Sequence, residues 1–541
     1  MADPTPLTIG AEADGVLGVV EGHIVRNDPK SFESVKPLLI RPIQVEAQGK
    51  RGEGSDSDDT EYEISLQEWM FQEIRRTLAD NVGVYVNEQD DDTKVNVQGI
   101  HMAGGVPLYY GWRVVDESTA RIPIDETRQY HPQVSYPSLE LLTPAMEFNQ
   151  KSLNEIAAVY KCLTITETPG FRPGPLTPTT CGYHVHVGIG AERFSAHQAR
   201  RIACVTYATG PLLSQLLPSH RKGNLHARMN RYYSFLAHGQ DANWACEEVR
   251  IAAQSQDREE RDANFGTNGG MKETPLPVPA ETYVPSGPLK FSWETKTNEE
   301  KGKGGEATDD RGDVEMQKAP QFTRKLLRGS LPCEDLDPKA FFYTSPQEVL
   351  LSATYTVPSR FEDAESSPAS IAKAVDVVMC CPSAAAVAQL LRPGRLGVSF
   401  SNLATPFRNY MHQKPTIEFR QLPATFNAEA ACAWISVVAQ LCRVAIDWTW
   451  GDFTVLLRRC ALADAKPQEY DVFDLLVDIG CAEQAALIQD MVIDGPDGSP
   501  FVRSNEPDDG GQQSGSGGES PSSNTPGGNG TESRPFEINL P

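Results

Sequence analysis

Apolar and polar residues alternate from Pro6 to Ala13, with Leu7, Ile9 and Ala11 interleaved with Thr8, Gly10 and Glu12. That period of two predicts an opening strand. Leu66, Met70, Ile74 and Leu78 then recur near helical spacing behind Ser65, with Glu68 three residues on, which predicts a capped helix ending near Asp80. Lys94 to His101 and Tyr109 to Val115 read as two strands joined by a turn around Gly104 and Gly105. Ser138 to Leu142 is a short apolar strand stopped by Thr143 and Pro144, and Ser152 to Leu163 is a helix. Tyr183 to Ile189 alternates as a strand; Ser195 to Leu217 is helical, with a break expected at Gly210 and Pro211. Further on, Ser370 to Met379 and Ser383 to Leu391 are short helices, Gly397 to Asn402 and Thr416 to Gln421 are strands, and Ala428 to Trp448 is a long helix. Strands that return as neighbours with helices inserted between them predict an α+β architecture, and no internal repeat is evident.

Three stretches break this pattern. Gln48 to Glu61 has no apolar periodicity and reads as a solvated loop. Gln254 to Pro320 carries REERD, TNEEKGKGGE and TDDRGD, too little apolar surface to offset the entropy of ordering it. The tail is rich in Gly, Ser, Pro and Asn. The expected organisation is therefore one folded domain in two parts, residues 1–253 and 321–500, separated by a disordered insert at 254–320 and followed by a disordered tail at 501–541.

Charge narrows the function classes. The 541 residues carry 49 Lys plus Arg against 73 Asp plus Glu, a formal net charge of −24. A general binder of nucleic acid or of anionic membranes needs a basic surface, so those partners are excluded, whereas divalent cations are suited. The start MADPTPLTIGAEADG has neither a basic nor an apolar leader region, and no run approaches about 18 consecutive apolar residues. A soluble cytoplasmic protein is expected. The 11 cysteines are scattered and odd in number, which favours free thiols, with Cys380 and Cys381 as small core residues.

The chemistry concentrates on four strands. In CGYHVHVGIG, His184 and His186 fall on one face and Tyr183, Val185 and Val187 on the other. In PTIEFRQLPATFN, Glu418 and Arg420 likewise share a face. Taken singly, the first is equally a pair of satisfied histidines and the second an exposed ion pair worth under about 1 kcal/mol. Glu12 and Asp14 repeat the same spacing in TIGAEADG, and Glu140 sits inside the apolar run SLELL, where a carboxylate is costly unless it is paired or holds a metal. If these faces meet on one curved sheet, they supply carboxylates and imidazole for two or three divalent cations, with arginines left for polyphosphate.

The segments GAEAD, WRVVDES, LELLTP, CGYHVHVG and TIEFRQLPATFN, in that order, resemble the amidoligase family, a branch of the glutamine-synthetase-like carboxylate-amine ligases, over roughly Leu7 to Trp450. The HVH and IEFR segments carry most of the specificity. The resemblance implies a curved, mainly antiparallel sheet with helices on its outer face. It implies ATP and Mg²⁺ or Mn²⁺, with Glu12, Asp14, Glu140, His184 and Glu418 as metal ligands. It places His186 and Arg420 on the transferring phosphoryl group, where positive charge stabilises the oxygens, and makes these two with Glu418 the catalytic set. Arg228 and Arg221 become further phosphate or substrate arginines, and Asp116, Ser118 and Asn402 substrate or metal contacts. The implied reaction is ADP-forming amide or isopeptide synthesis through an acyl phosphate, on a small-molecule or peptide carboxylate and amine. Asp14 departs from the pattern, since a second Glu is usual there. The alternatives are a catalytically lapsed nucleotide-binding or interaction module and a metal-dependent hydrolase built on the same histidines.

Overall fold

A computed structural model describes residues 4–27, 29–32, 38–41, 65–86, 111–123, 131–165, 175–190, 192–222, 227–265, 322–331, 369–392, 396–404 and 415–494. The expected loop at 48–61, the strand at Lys94 to His101 with its turn, the tail and residues 266–320 of the insert lie outside them.

The molecule is α+β and is built on one open antiparallel sheet. Its strands are β1 (Thr8–Val16), β4 (Arg113–Val115), β5 (Ser138–Leu142), β6 (Met146–Glu147), β7 (Gly182–Gly188), β8 (Val398–Ser399) and β9 (Ile417–Pro423). They lie in the order β4-β5-β1-β7-β9-β8, with β6 pairing β1. Two further strands, β2 (Gly18–Glu21) and β3 (Leu38–Arg41), form a small parallel pair.

Alternation decides which face is which. Ile9, Ala11 and Ala13 of β1, Tyr183, Val185 and Val187 of β7, and Ile417 and Phe419 of β9 are all buried and line one face. The helix Ala428–Asp447 packs on β1 and β7 there, and is itself backed by the helices Gln150–Ile165 and Ala196–Ser214. Its run of Ala430, Ala431, Ala433, Ala439 and Ala445, all buried, keeps the helix face low, and burying this much apolar surface is what holds the two layers together. Among the described residues it alone is long and apolar enough to cross a membrane, and 78% of its apolar window is buried inside the fold.

Several elements differ from the sequence pattern. The helix Ala196–Ser214 runs unbroken through Pro211. Residues Ile202 to Ser214 are all buried, so packing on every side outweighs the one backbone hydrogen bond that proline removes. The strand expected at Gly397 to Asn402 is only Val398–Ser399, after which Ser401–Ala404 turns into a short helix carrying Asn402. The helix Ala242–Phe265 continues past Gln254, where the disordered insert was expected to begin. Of the cysteine pair, Cys381 is buried but Cys380 is exposed; all ten cysteines among the described residues are free.

Candidate functional site

The polar face of the sheet collects the titratable side chains by register alone. Glu12 of β1 lies opposite His184 of β7, and Asp14 opposite Glu140 of β5. His186 lies opposite Glu418 of β9. Paired residues share a face, so four strands contribute to one patch. Its donor atoms form three overlapping groups, each within 4.8 Å: Glu12, Glu140 and His184; Glu12, His186 and Glu418; Asp14, Glu117 and Glu140. Glu12 belongs to two groups and Glu140 to two, so the patch is continuous.

The distances fit a cation-binding surface. His184 Nδ1 is 3.3 Å from Glu12 and 3.6 Å from Glu418. His186 Nε2 stands 3.0 Å from Glu12 Oε1, yet it is buried and makes no hydrogen bond. Asp14 is 4% exposed. Its Oδ2 accepts from the Gly182 N–H at 2.9 Å, while Oδ1 is buried with no hydrogen bond. Burial pushes the Asp14 carboxyl up to about 6, against the opposing pull of His184 and the Gly182 N–H. Buried polar atoms left without partners are costly; these two fall in separate donor groups, His186 with Glu12 and Glu418 and Asp14 with Glu117 and Glu140, so a cation in each group would satisfy them. Carboxylates with an added imidazole form a donor set that could hold a divalent cation.

Neighbours fix the ligating rings. His186 Nδ1 is 3.0 Å from Thr416 Oγ1, and Asn402 Nδ2 donates to the same hydroxyl at 3.4 Å. Such outer contacts set the orientation of a ligating imidazole. Gly182 leaves the space that the site side chains occupy: a Cβ there would stand 2.8 Å from His184 Nε2 and 3.4 Å from Asp14 Oδ2.

The sequence-derived residues divide as follows. Glu12, Asp14, Glu140, His184, His186 and Glu418 come together, and Arg420 joins them through an ion pair with Glu418. Asn402 reaches the patch through Thr416. Arg221 is close by but fully buried, its guanidinium donating to the backbone carbonyls of Arg420, Gln421 and Cys181. Burial lowers it to about 10. The Arg228 guanidinium lies over the Tyr233 ring. Asp116 is exposed and accepts from Gln67 and Ser138, and Ser118 is exposed in the following turn. Glu117, between them, is the residue the sequence reading missed. Val115 lies opposite Glu140, and two residues on, Glu117 keeps that parity, whereas Asp116 and Ser118 do not. Thr416 and Gly182 were also missed.

No curated protein and no solved structure matches the chain. One family model does, over about a third of the length; the matched stretch carries Glu117, Glu140, His184 and His186, and β1 and β9 flank it on either side. Over residues 62–243 the chain is similar to the family described as "Putative amidoligase enzyme".

Proposed function

We propose that the protein is an ATP-dependent carboxylate-amine ligase on a glutamine-synthetase-like scaffold, forming an amide or isopeptide bond and releasing ADP and phosphate. The observation that carries this reading is the continuous set of donor groups hinged on Glu12, with His186 Nε2 and Asp14 Oδ1 buried and without hydrogen bonds beside it. The similarity over residues 62–243 supports the ligase class.

In this reading Glu12, His184, His186 and Glu418 hold one Mg²⁺ or Mn²⁺, and Asp14, Glu117 and Glu140 a second. Bound cations supply the positive charge that lets an anionic carboxylate approach ATP phosphates. Arg420, oriented by Glu418, stabilises charge on the transferring phosphoryl oxygens. The substrate carboxylate attacks the γ-phosphate, ADP leaves, and the amine displaces phosphate from the acyl phosphate. The closed site must exclude water, which would otherwise hydrolyse that intermediate.

The test is a panel of carboxylate and amine pairs with ATP and Mg²⁺ or Mn²⁺, read by ADP release and by mass spectrometry of the product. ADP release that needs metal and carboxylate, and is abolished by Glu418→Gln, supports the ligase. Nucleotide binding with no turnover for any pair, unchanged by Glu418→Gln, indicates the lapsed module. Hydrolysis without nucleotide, with a transition metal bound, indicates the hydrolase.

A further inference from the structure

Strands β7 and β9 slip by one residue in the middle of the site. Tyr183 lies opposite Leu422 and Val185 opposite Phe419, so the single residue His184 faces two, Arg420 and Gln421. This is a β-bulge, a device that re-aims side chains beside functional sites. Its effect can be read from parity. Phe419 and Leu422 are both completely buried on the apolar face, although three positions separate them. An unbulged strand would turn Gln421 into the core and Leu422 out among the carboxylates. The bulge instead puts Arg420 and Gln421 together on the face of His184. Gln421 lies over Gly397, where a Cβ would stand 2.7 Å from its Cγ.

A bulge disrupts the ladder, and its carbonyls need other donors. Arg221 supplies them. Its Nη2 donates to Arg420 O at 2.7 Å and its Nε to Gln421 O at 3.4 Å. Its Nη1 reaches Cys181 O, just before β7, at 3.4 Å. The residue is 2% exposed and rides on the short helix Ser219–Lys222, which packs on β9. On the other side of the bulge, Arg420 N donates to Gly397 O at 2.7 Å.

We infer that Arg221 is a positioning residue: its guanidinium ties both bulged carbonyls to the start of β7 and so holds Arg420 and Gln421 facing His184. Its part in turnover rests on the ligase reading, since Arg420 is given its role there; its part in holding the bulge does not. Lysine cannot replace it, because an ammonium on a flexible stem lacks the planar fork that spans three carbonyls.

Two variants and two readouts test this. In Arg221→Lys, deuterium uptake by the peptide spanning 417–423 should quicken about tenfold while uptake over 8–16 is unchanged. Unchanged uptake over 417–423 overturns the inference whether or not the protein is a ligase. With ADP release established, Arg221→Lys should lower kcat about 100-fold and leave KM for ATP within about twofold. Methylguanidinium should restore part of the kcat of Arg221→Ala, and methylammonium none. A raised KM for ATP at unchanged kcat would instead mean that Arg221 touches phosphate, and full kcat in Arg221→Lys would mean that it positions nothing. If Arg221→Ala does not fold, the lysine variant decides. Absence of ADP release in the unaltered protein, with quickened exchange in Arg221→Lys, would sink the ligase reading and keep the bulge lock.

Discussion

Two regions of this molecule gather carboxylates, and they treat them in opposite ways. On the outer helical layer, residues 322–331 lie across the helices Val472–Asp478 and Ala482–Asp494 as a strap. Arg324 grips Asp471 through two hydrogen bonds of 2.8 and 2.9 Å and also meets Asp474 at 2.9 Å. Arg328 closes on Asp474 at 2.9 Å, and Phe322 stacks on Phe473. Gln489, buried beneath, accepts from the backbone N–H groups of Lys325 and Leu326 and donates to Thr323 O. Burial alone would raise Asp474, but hydrogen bonds from Arg328 and the Asp471 N–H, with both arginine charges, hold it below the usual carboxylate range. Asp14 on the sheet is the reverse, pushed up to about 6 by burial with one oxygen lacking any donor. The strap carries its own cations within the chain; in the ligase reading, the sheet patch would take them from outside. Acidity alone, then, does not mark a metal site. What sets the patch apart is a buried oxygen without a donor, Asp14 Oδ1, that lies within a cluster of further carboxylates able to share a cation.

The largest effect that would sharpen this contrast is expected at Glu12, which is common to two of the three donor groups. Glu12→Gln should lower metal-dependent ADP release by about 10³-fold or more. It should also remove the rise in melting temperature produced by Mn²⁺, while the metal-free melting temperature holds or increases. A variant that keeps Mn²⁺ stabilisation would break the comparison, because the patch would then not be a cation site centred on Glu12.

Asp14 gives the next effect, and its sign follows from linkage. Its folded value of about 6 lies above the ordinary 3.8. Stability from this group is therefore fully present below about pH 4 and is lost as pH rises through 6. The loss amounts to about 3 kcal/mol at neutral pH. Metal-free protein should thus melt higher at pH 5 than at pH 7.5 by more than Asp14→Asn does, and saturating Mg²⁺ should flatten the difference. Identical pH profiles for the two proteins without metal would show that Asp14 finds a donor after all.

Much of this patch was legible because a strand of seven or more residues displays its period. β1 and β7 alternate cleanly, so Glu12, Asp14, His184 and His186 could be set on one face before any coordinates. Glu140 was legible for another reason, as a charge inside an apolar run. Glu117 was hidden because β4 is only three residues long and ends at Val115, too short for a parity to be followed past its end. The bulge left only a faint trace. IEFRQLP alternates through Arg420 and then sets a second polar residue, Gln421, where an apolar one is due, but only pairing with β7 shows the slip. Pro211 misled because propensity is local, whereas burial of the whole last half of its helix is not. The strap had no local signal, since basic residues that meet a carboxylate about 150 positions later look like any solvated charge run.

The strap offers the third effect. Asp471 has a side chain only 5% exposed and is gripped by Arg324, so Arg324→Ala leaves a buried carboxylate without its cation. The expected cost is about 3 kcal/mol in chemical denaturation, with ADP release unchanged because the strap lies on helices behind the sheet. Double substitution of Arg324 and Asp471 by apolar residues should recover part of that loss. A neutral outcome for the single variant would mean that the strap is not a clamp.

The smallest effect comes from the same strap and separates burial from charge. Lys325 and Asp490 meet as an ion pair, but their side chains are 54% and 49% exposed. Water screens both partners before and after the pair breaks, and the lysine stem loses rotamer freedom on holding it. Lys325→Ala should therefore cost under about 1 kcal/mol, and the cost should shrink further in 0.5 M salt, roughly three times the physiological ionic strength, because exposed charges are screened over a few ångströms there. Arg324→Ala, one residue away on the same segment, should keep most of its cost in that salt. Equal salt sensitivity of the two variants would show that Asp471 is reached by solvent as readily as Asp490, and that pairing on the strap owes nothing to burial.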